Sequence, residues 1–385
     1  MAVEKKRQTS KNRILKRFIA ICAAAAVVLA AAIFFIYNNA EPEQVQGLSA
    51  KATFARIKLS WDIAGHADGY DVYVSDGGDF IKADTLDGKE TTSWKYKDYE
   101  HDKPYSFKVV PLNRNPLTHK ATEGEASEEV SAEYETAKYA QKIPIITYHK
   151  IIPKGHTFTS TLLVTEDTFE EHMKYLHDNG YKTITPDEFY QWHKGKKEFP
   201  VKTVMVTFDD GFYGTYYLAY PIIKKYDQAA TVFCIGKNSE GVTDEFDPDA
   251  PKDHYVRQDV IEKMRTEYPR FSFESHTYDM HNRVDGKKPA KGFTYEQIVE
   301  DCKKCDKFGF RYLAYPWGTY SKKMQRALKD SGYKMAFAYR PFYYALRSDD
   351  RYAVNRLKIS GKITMDNFIR IVSGEAEEMN NPDAQ

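Results

Sequence analysis

The sequence predicts an α/β protein: a parallel sheet closed into a (β/α) barrel, preceded by an all-β sandwich and an N-terminal transmembrane helix. Three observations carry this. From Lys142 onward apolar strands alternate with helical stretches; before that, short runs alternate with period two; and near the start lies a run without charge. With 385 residues, 42% hydrophobic and 29% charged, the chain is longer than one ordinary domain and too apolar to be disordered.

Residues 18–37 carry no charge and follow Lys5, Lys6, Arg7, Lys11, Arg13, Lys16 and Arg17. A run of that length spans a bilayer, and the basic flank stays in the cytoplasm. The expectation is a cytoplasmic segment over 1–17, an anchor over 18–37 and a linker over 38–45, with the body extracytoplasmic at the cell membrane. A cleaved signal peptide ending near Asn38-Asn39-Ala40 is the competing reading, which the length of the run disfavours. A formal net charge of +1 gives no basis for nucleic-acid binding. The cysteines, at 22, 234, 302 and 305, are too few and too scattered for a disulfide framework. Cys302 and Cys305 form a C-x-x-C in a lysine-rich helical stretch without a second pair to complete a zinc site, and read as incidental.

Residues 46–137 contain FARIKLSWDI, GYDVYVS, TTSWKYKDY, YSFKVVPLN and EEVSAEYE, strands separated by Gly, Asp and Asn turns. Trp61 and Tyr105 suit the core of a two-sheet sandwich. The pattern resembles a fibronectin type III domain, expected to act as a spacer between membrane and enzyme.

Residues 138–378 hold the strands IPIITYH, KTVMVTF, ATVFCI, FSFESH, FRYLAYP and KMAFAYR, with helices such as TEDTFEEHMKYLHDNG and SKKMQRALKDSG between them. Thr165 or Asp167 suits the first helix start and Gly180 its end. Such alternation implies a parallel sheet with working residues where strands end. Asn238–Asp259, rich in Asp and Pro, reads as a surface insertion, and 379–385 as a frayed tail.

The chemistry-bearing residues follow those strands. Asp209-Asp210-Gly211 ends VMVTF; adjacent strand carboxylates point to opposite sides, so one can bind a metal while the other acts as a base, unless the motif is only an acidic turn. His276 and His281 in SHTYDMH lie five apart, about 140° around a helix, and would converge only from a strand end and its loop. One carboxylate and two imidazoles leave open coordination positions, as catalytic zinc sites do. Tyr315-Pro316-Trp317-Gly318 can shape a groove wall for sugar rings, or form a plain core-to-turn corner, and its backbone amides suit an oxyanion.

Together these stretches resemble the polysaccharide deacetylase family, the NodB-homology group classed as carbohydrate esterase family 4, over about residues 142 to 375. The resemblance implies a distorted (β/α) barrel of the polysaccharide deacetylase type; Asp209 as general base; Asp210, His276 and His281 as ligands of zinc or a similar divalent ion; and Tyr315, Pro316 and Trp317 as substrate contacts. Two departures matter: the family's histidines usually lie four apart, and its late Leu-x-His, the source of the general acid, is missing, since no histidine follows His281. The circularly permuted branch acting on poly-N-acetylglucosamine has the wider spacing and takes its acid histidine from an early Tyr-His. Ile145-Ile146-Thr147-Tyr148-His149-Lys150 matches that pattern, followed by Gly180-Tyr181-Lys182-Thr183-Ile184-Thr185. His149 is therefore the expected acid, with Tyr148 contacting substrate, and the expected partner is an N-acetylated polysaccharide. An ionised Asp209 near other carboxylates calls for a cation, Arg340 or Arg356. Rival readings are a non-haem iron oxygenase, an O-acetyl (xylan) esterase on the same fold, and an inactive wall-binding protein.

Overall fold

The computed structural model describes residues 2–38, 40–156, 160–241, 247, 253–340 and 343–375. The expected tail at 379–385 and residues 242–246 and 248–252 of the expected insertion lie outside these residues. The chain divides into two compact units, residues 1–135 and 136–385, a boundary two residues before the one expected.

In the first unit a helix, Ala2–Asn38, contains the span Lys16–Ile36, long and apolar enough to cross a membrane. At about 1.5 Å per residue such a segment matches the ~30 Å hydrocarbon core. The rest forms two antiparallel sheets. Ser49–Thr53, Arg56–Ser60 and Ser93–Tyr96 make one; Ile81–Asp87, Gly69–Ser75, Tyr105–Arg114, Ala121–Glu123 and Val130–Ala132 make the other. Every second residue turns inward: Ile57, Leu59 and Trp61 meet Tyr70, Val72, Val74, Tyr105, Phe107 and Val109 in one core. Trp61 and Tyr105 sit in that core, as their residue types suggest.

In the second unit seven strands form an all-parallel sheet: β1 (Ile145–Tyr148), β2 (Thr203–Phe208), β3 (Ala230–Cys234), β4 (Phe271–Ser275), β5 (Tyr312–Ala314), β6 (Met335–Phe337) and β7 (Leu357–Lys358). The spatial order is β6-β5-β4-β3-β2-β1-β7, and Lys182–Thr183 pairs with β2 as well. Strands β1, β2 and β3 are buried at every position, because helices cover one face and the sheet's own curvature encloses the other. The segment from Val354 to Lys358 pairs with both edges: Val354 bridges Phe337 of β6, and Leu357 lies opposite Ile146 of β1. This closing strip was not visible in the sequence, since two ladder residues give no periodicity. It carries Arg356 and Lys358.

Helix starts follow local chemistry. Thr185 and Glu188 form a capping box, as do Thr294 and Gln297, while Ser321 and Thr364 accept from the third helical amide. Thr165 occupies the N-cap of Glu166–Asp178, but its hydroxyl bonds the Thr168 hydroxyl, and the Thr168 amide donates to Asp167 instead. Cys234, Cys302 and Cys305 are buried free thiols.

Candidate active site

The seven strands of this sheet run parallel, so their C-terminal ends share one rim, and a pocket of about 360 Å³ opens there. His149, Asp209, Asp210, His276, His281, Trp317 and Arg356 line it. Thus the three motifs from distant parts of the chain meet in one cavity.

Two adjacent strand residues would face opposite sides, yet Asp209 and Asp210 both line the pocket. The backbone explains this: Asp210 leaves the extended region with φ 71°, and Gly211 follows at 76°. Gly211 is also required for space, because a Cβ there would lie 3.1 Å from the Cys234 Cα. Asp209 stays in register, its amide donating to the Tyr148 carbonyl at 3.0 Å, which puts it beside His149.

Asp209 is 5% exposed. Burial pushes its carboxyl up, but the Arg356 charge opposes this, helped by the neighbouring imidazoles and by two hydrogen bonds, Nη1 to Oδ1 at 2.6 Å and Nη2 to Oδ2 at 2.8 Å. The balance holds the carboxylate well below its usual range, ionised and fixed in plane by a bidentate fork. Of the two cations expected from the sequence, Arg356 is the partner; Arg340 donates to the Tyr320 hydroxyl instead.

Asp210 has the opposite environment. Burial, then the charge of Asp209, pushes it up to about 7, and its Oδ1 is buried without a hydrogen bond. The Nε2 atoms of His276 and His281 stand 3.5 and 3.4 Å from that oxygen. Donor atoms of these three residues lie within 4.8 Å of one another. His276 Nδ1 lies 2.8 Å from the Ala314 carbonyl, which fixes Nδ1 as the protonated nitrogen and turns the Nε2 lone pair toward Asp210. An orphaned buried carboxylate oxygen facing two imidazole nitrogens fits a divalent cation, and the N/O donor set suits zinc or a similar ion.

The loop that carries the two histidines is built by a residue that the sequence did not reveal. Asp301, on the helix Tyr295–Lys304, accepts from the amides of Tyr278 at 2.7 Å and Asp279 at 2.8 Å. With Thr277 at φ 71°, this bends the chain so that histidines five apart converge, their ring centroids 5.0 Å apart. Trp317, also left-handed at φ 54°, stacks on His281 at 4.5 Å. Gly318 lets that turn approach: a Cβ there would meet the Tyr339 Cβ at 2.3 Å.

His149 lines the pocket with Nδ1 buried and unbonded. Burial lowers it to about 4, partly opposed by the charge of Asp209.

The expected substrate contacts separate. Trp317 reaches the pocket and is 38% exposed. Tyr148 is corrected: it is fully buried against Phe169 and Phe208, its hydroxyl 3.0 Å from His172 Nδ1, because it precedes the strand end and points to the opposite face from His149. Tyr315 is also corrected, being fully buried with its hydroxyl donating to the Tyr352 carbonyl at 2.9 Å. Pro316 is buried outside the pocket lining and shapes the turn. Leu162, Lys288, Tyr339 and Lys358, not singled out by the sequence, complete the wall.

A curved parallel sheet whose rim sets a clamped carboxylate beside three residues that could hold a metal ion is an arrangement suited to hydrolysis. The chain belongs to the polysaccharide deacetylase family. The family model described as polysaccharide deacetylase matches residues 196–336. YxkH of Bacillus subtilis (strain 168), assigned as a polysaccharide deacetylase, is 33% identical over 237 residues, covering 60% of this chain and 76% of its own. The poly-beta-1,6-N-acetyl-D-glucosamine N-deacetylase of Staphylococcus aureus (strain MRSA252) is 29% identical over 209 residues, covering 51% of this chain and 68% of its own. In fold, the Streptococcus pyogenes deacetylase PplD, solved with acetate, aligns with TM-score 0.50 and 23% identity over 60% of this chain and 98% of its own. By family membership this chain is a deacetylase, a hydrolase of acetyl groups.

Proposed function

We propose that this chain hydrolyses N-acetyl groups of a GlcNAc-containing polysaccharide, poly-N-acetylglucosamine or a peptidoglycan-like polymer, releasing acetate and leaving a free amine on the sugar. One observation supports this most: the Arg356-clamped Asp209 shares a pocket with the Asp210, His276 and His281 donor set and with His149. The named activity of the staphylococcal relative favours an N-acetylglucosamine polymer.

Asp210, His276 and His281 would hold the metal, which supplies Lewis-acid chemistry that polarises an amide carbonyl and makes water more acidic. Asp209, kept ionised by Arg356, takes the proton of the attacking water. A backbone amide in the Trp317 turn is the proposed donor to the developing oxyanion. His149 delivers a proton to the departing nitrogen; the Asp209 charge favours its protonated form, and burial makes that form a strong acid. Trp317 offers a ring face to a sugar. The helix containing Lys16–Ile36 anchors the chain in the membrane, with both folded units outside, and the fibronectin-III-like unit serves as a spacer.

The test compares acetate release from N-acetylglucosamine oligomers and from acetylated xylan. Release from the oligomers, with xylan left acetylated, is expected. The reverse would assign the site to ester hydrolysis.

A further inference from the structure

Lys358 is half-buried on β7 and opposite Thr147 of β1. It lies two residues from Arg356, so both side chains leave the strand on one side, and both line the pocket. Arg356 is consumed by Asp209, but the Lys358 ammonium has no hydrogen bond or ion pair among the described residues. Burial lowers its pKa with no carboxylate opposing it. Lys288, from the loop after His281, also lines the pocket and is equally without an ion pair among the described residues. A third cation, Arg283, stands over the Trp317 ring at 5.9 Å from its centroid.

The charge balance is lopsided. Asp209 is neutralised by Arg356, and Asp210 faces the proposed metal, so two ammonium groups remain uncompensated in a concave site. Holding the Lys358 cation there costs desolvation, which no carboxylate of the protein offsets. A cleft lined by one sign of charge concentrates ligands of the other sign. An uncharged acetamido sugar offers these lysines hydrogen-bond acceptors but no counter-charge, and its deacetylated product adds another cation.

We infer that Lys358 and Lys288 are specificity-determining residues that recognise an anionic group, carboxylate or phosphate, on the acetylated polysaccharide next to the sugar being deacetylated. This rests on the deacetylase reading above and narrows it from N-acetylglucosamine polymers in general to negatively charged ones.

The experiment measures kcat/KM for acetate release by the full chain in detergent with metal supplied. Three substrates separate the sources: a neutral N-acetylglucosamine oligomer, an alternating oligomer with the carboxylate-bearing N-acetylmuramic acid, and a phosphodiester-bearing N-acetylglucosamine polymer. At least one anionic polymer should be preferred by about tenfold, the scale of one well-placed ion pair. That preference should shrink as salt rises, collapse toward parity in Lys358→Gln and Lys288→Gln, and survive in Lys358→Arg. Should Lys358→Gln fail to fold, the salt dependence and the Lys288→Gln variant still decide. Equal or better turnover of the neutral oligomer, or a preference indifferent to salt and to both variants, overturns the inference and leaves the deacetylase reading intact. No acetate from any of the three removes both.

Discussion

At the scale of single residues the pocket pushes two neighbouring carboxylates apart in pKa. Asp209 and Asp210 share a turn, yet Arg356 holds the first ionised while the second is raised to about 7 by burial and by its neighbour. In the proposed reaction Asp209 must be ionised to accept a proton, so the Arg356 fork would set the acid limit of activity. Arg356→Met should raise the Asp209 pKa and lower kcat/KM by about 10² or more, the range of a general base. The sign is fixed: removing a cation disfavours the carboxylate, so the acid limb of the pH profile moves to higher pH. An unmoved limb would contradict this role. The Asp-Asp pair itself was readable from sequence, because two carboxylates at the end of an apolar strand are unusual. Its geometry was not: strand alternation puts the two side chains on opposite sides, and only the left-handed backbone at Asp210 brings both into the pocket. Tyr148 and Tyr315 misled for a related reason, since adjacency to a working residue at a strand end places a side chain in the core as often as in the groove.

At the scale of elements, precision comes from supports outside the motifs. Asp301 on the helix Tyr295–Lys304 caps the amides of Tyr278 and Asp279, and so holds the loop from His276 to His281 in shape. Asp301→Asn keeps the volume but replaces one acceptor with a donor. Metal affinity should fall by about 10- to 100-fold, as for other groups that orient ligands, with little change in secondary structure. Metal titration followed by circular dichroism checks both, and unchanged affinity would show that the loop holds its own shape. Nothing local in the sequence marks Asp301, because its partners are backbone amides more than twenty positions away. The six main strands were legible from apolar runs between helical stretches. The strip Val354–Lys358 was not, although it joins both sheet edges and delivers Arg356 and Lys358, because its two ladder residues are too short a pattern.

At the scale of the whole molecule, the chain divides into an N-terminal unit with a membrane-length helix and two antiparallel sheets, and a catalytic unit with its own core. The period-two runs and the charge-free segment made this order readable in advance, since each is a repeat of one pattern over many residues. Deleting residues 1–37 should release the protein from membranes into the soluble fraction, with kcat/KM on soluble oligomers unchanged within about twofold, the scatter expected when no contact to the site is lost. Fractionation with the assay checks this, and a truncated protein that stays with membranes would contradict the anchor. The central claim is that five residues lining the pocket, His149, Asp209, Asp210, His276 and His281, form a metal-assisted amide hydrolase. Its most direct test is acetate release from an N-acetylglucosamine oligomer by three preparations: protein stripped with a chelator, the same protein after divalent metal is restored, and Asp209→Asn. The account predicts release abolished by stripping, recovered on restoring the metal, and lowered by at least about 10² in the variant. Undiminished release from the stripped protein and from Asp209→Asn would contradict it.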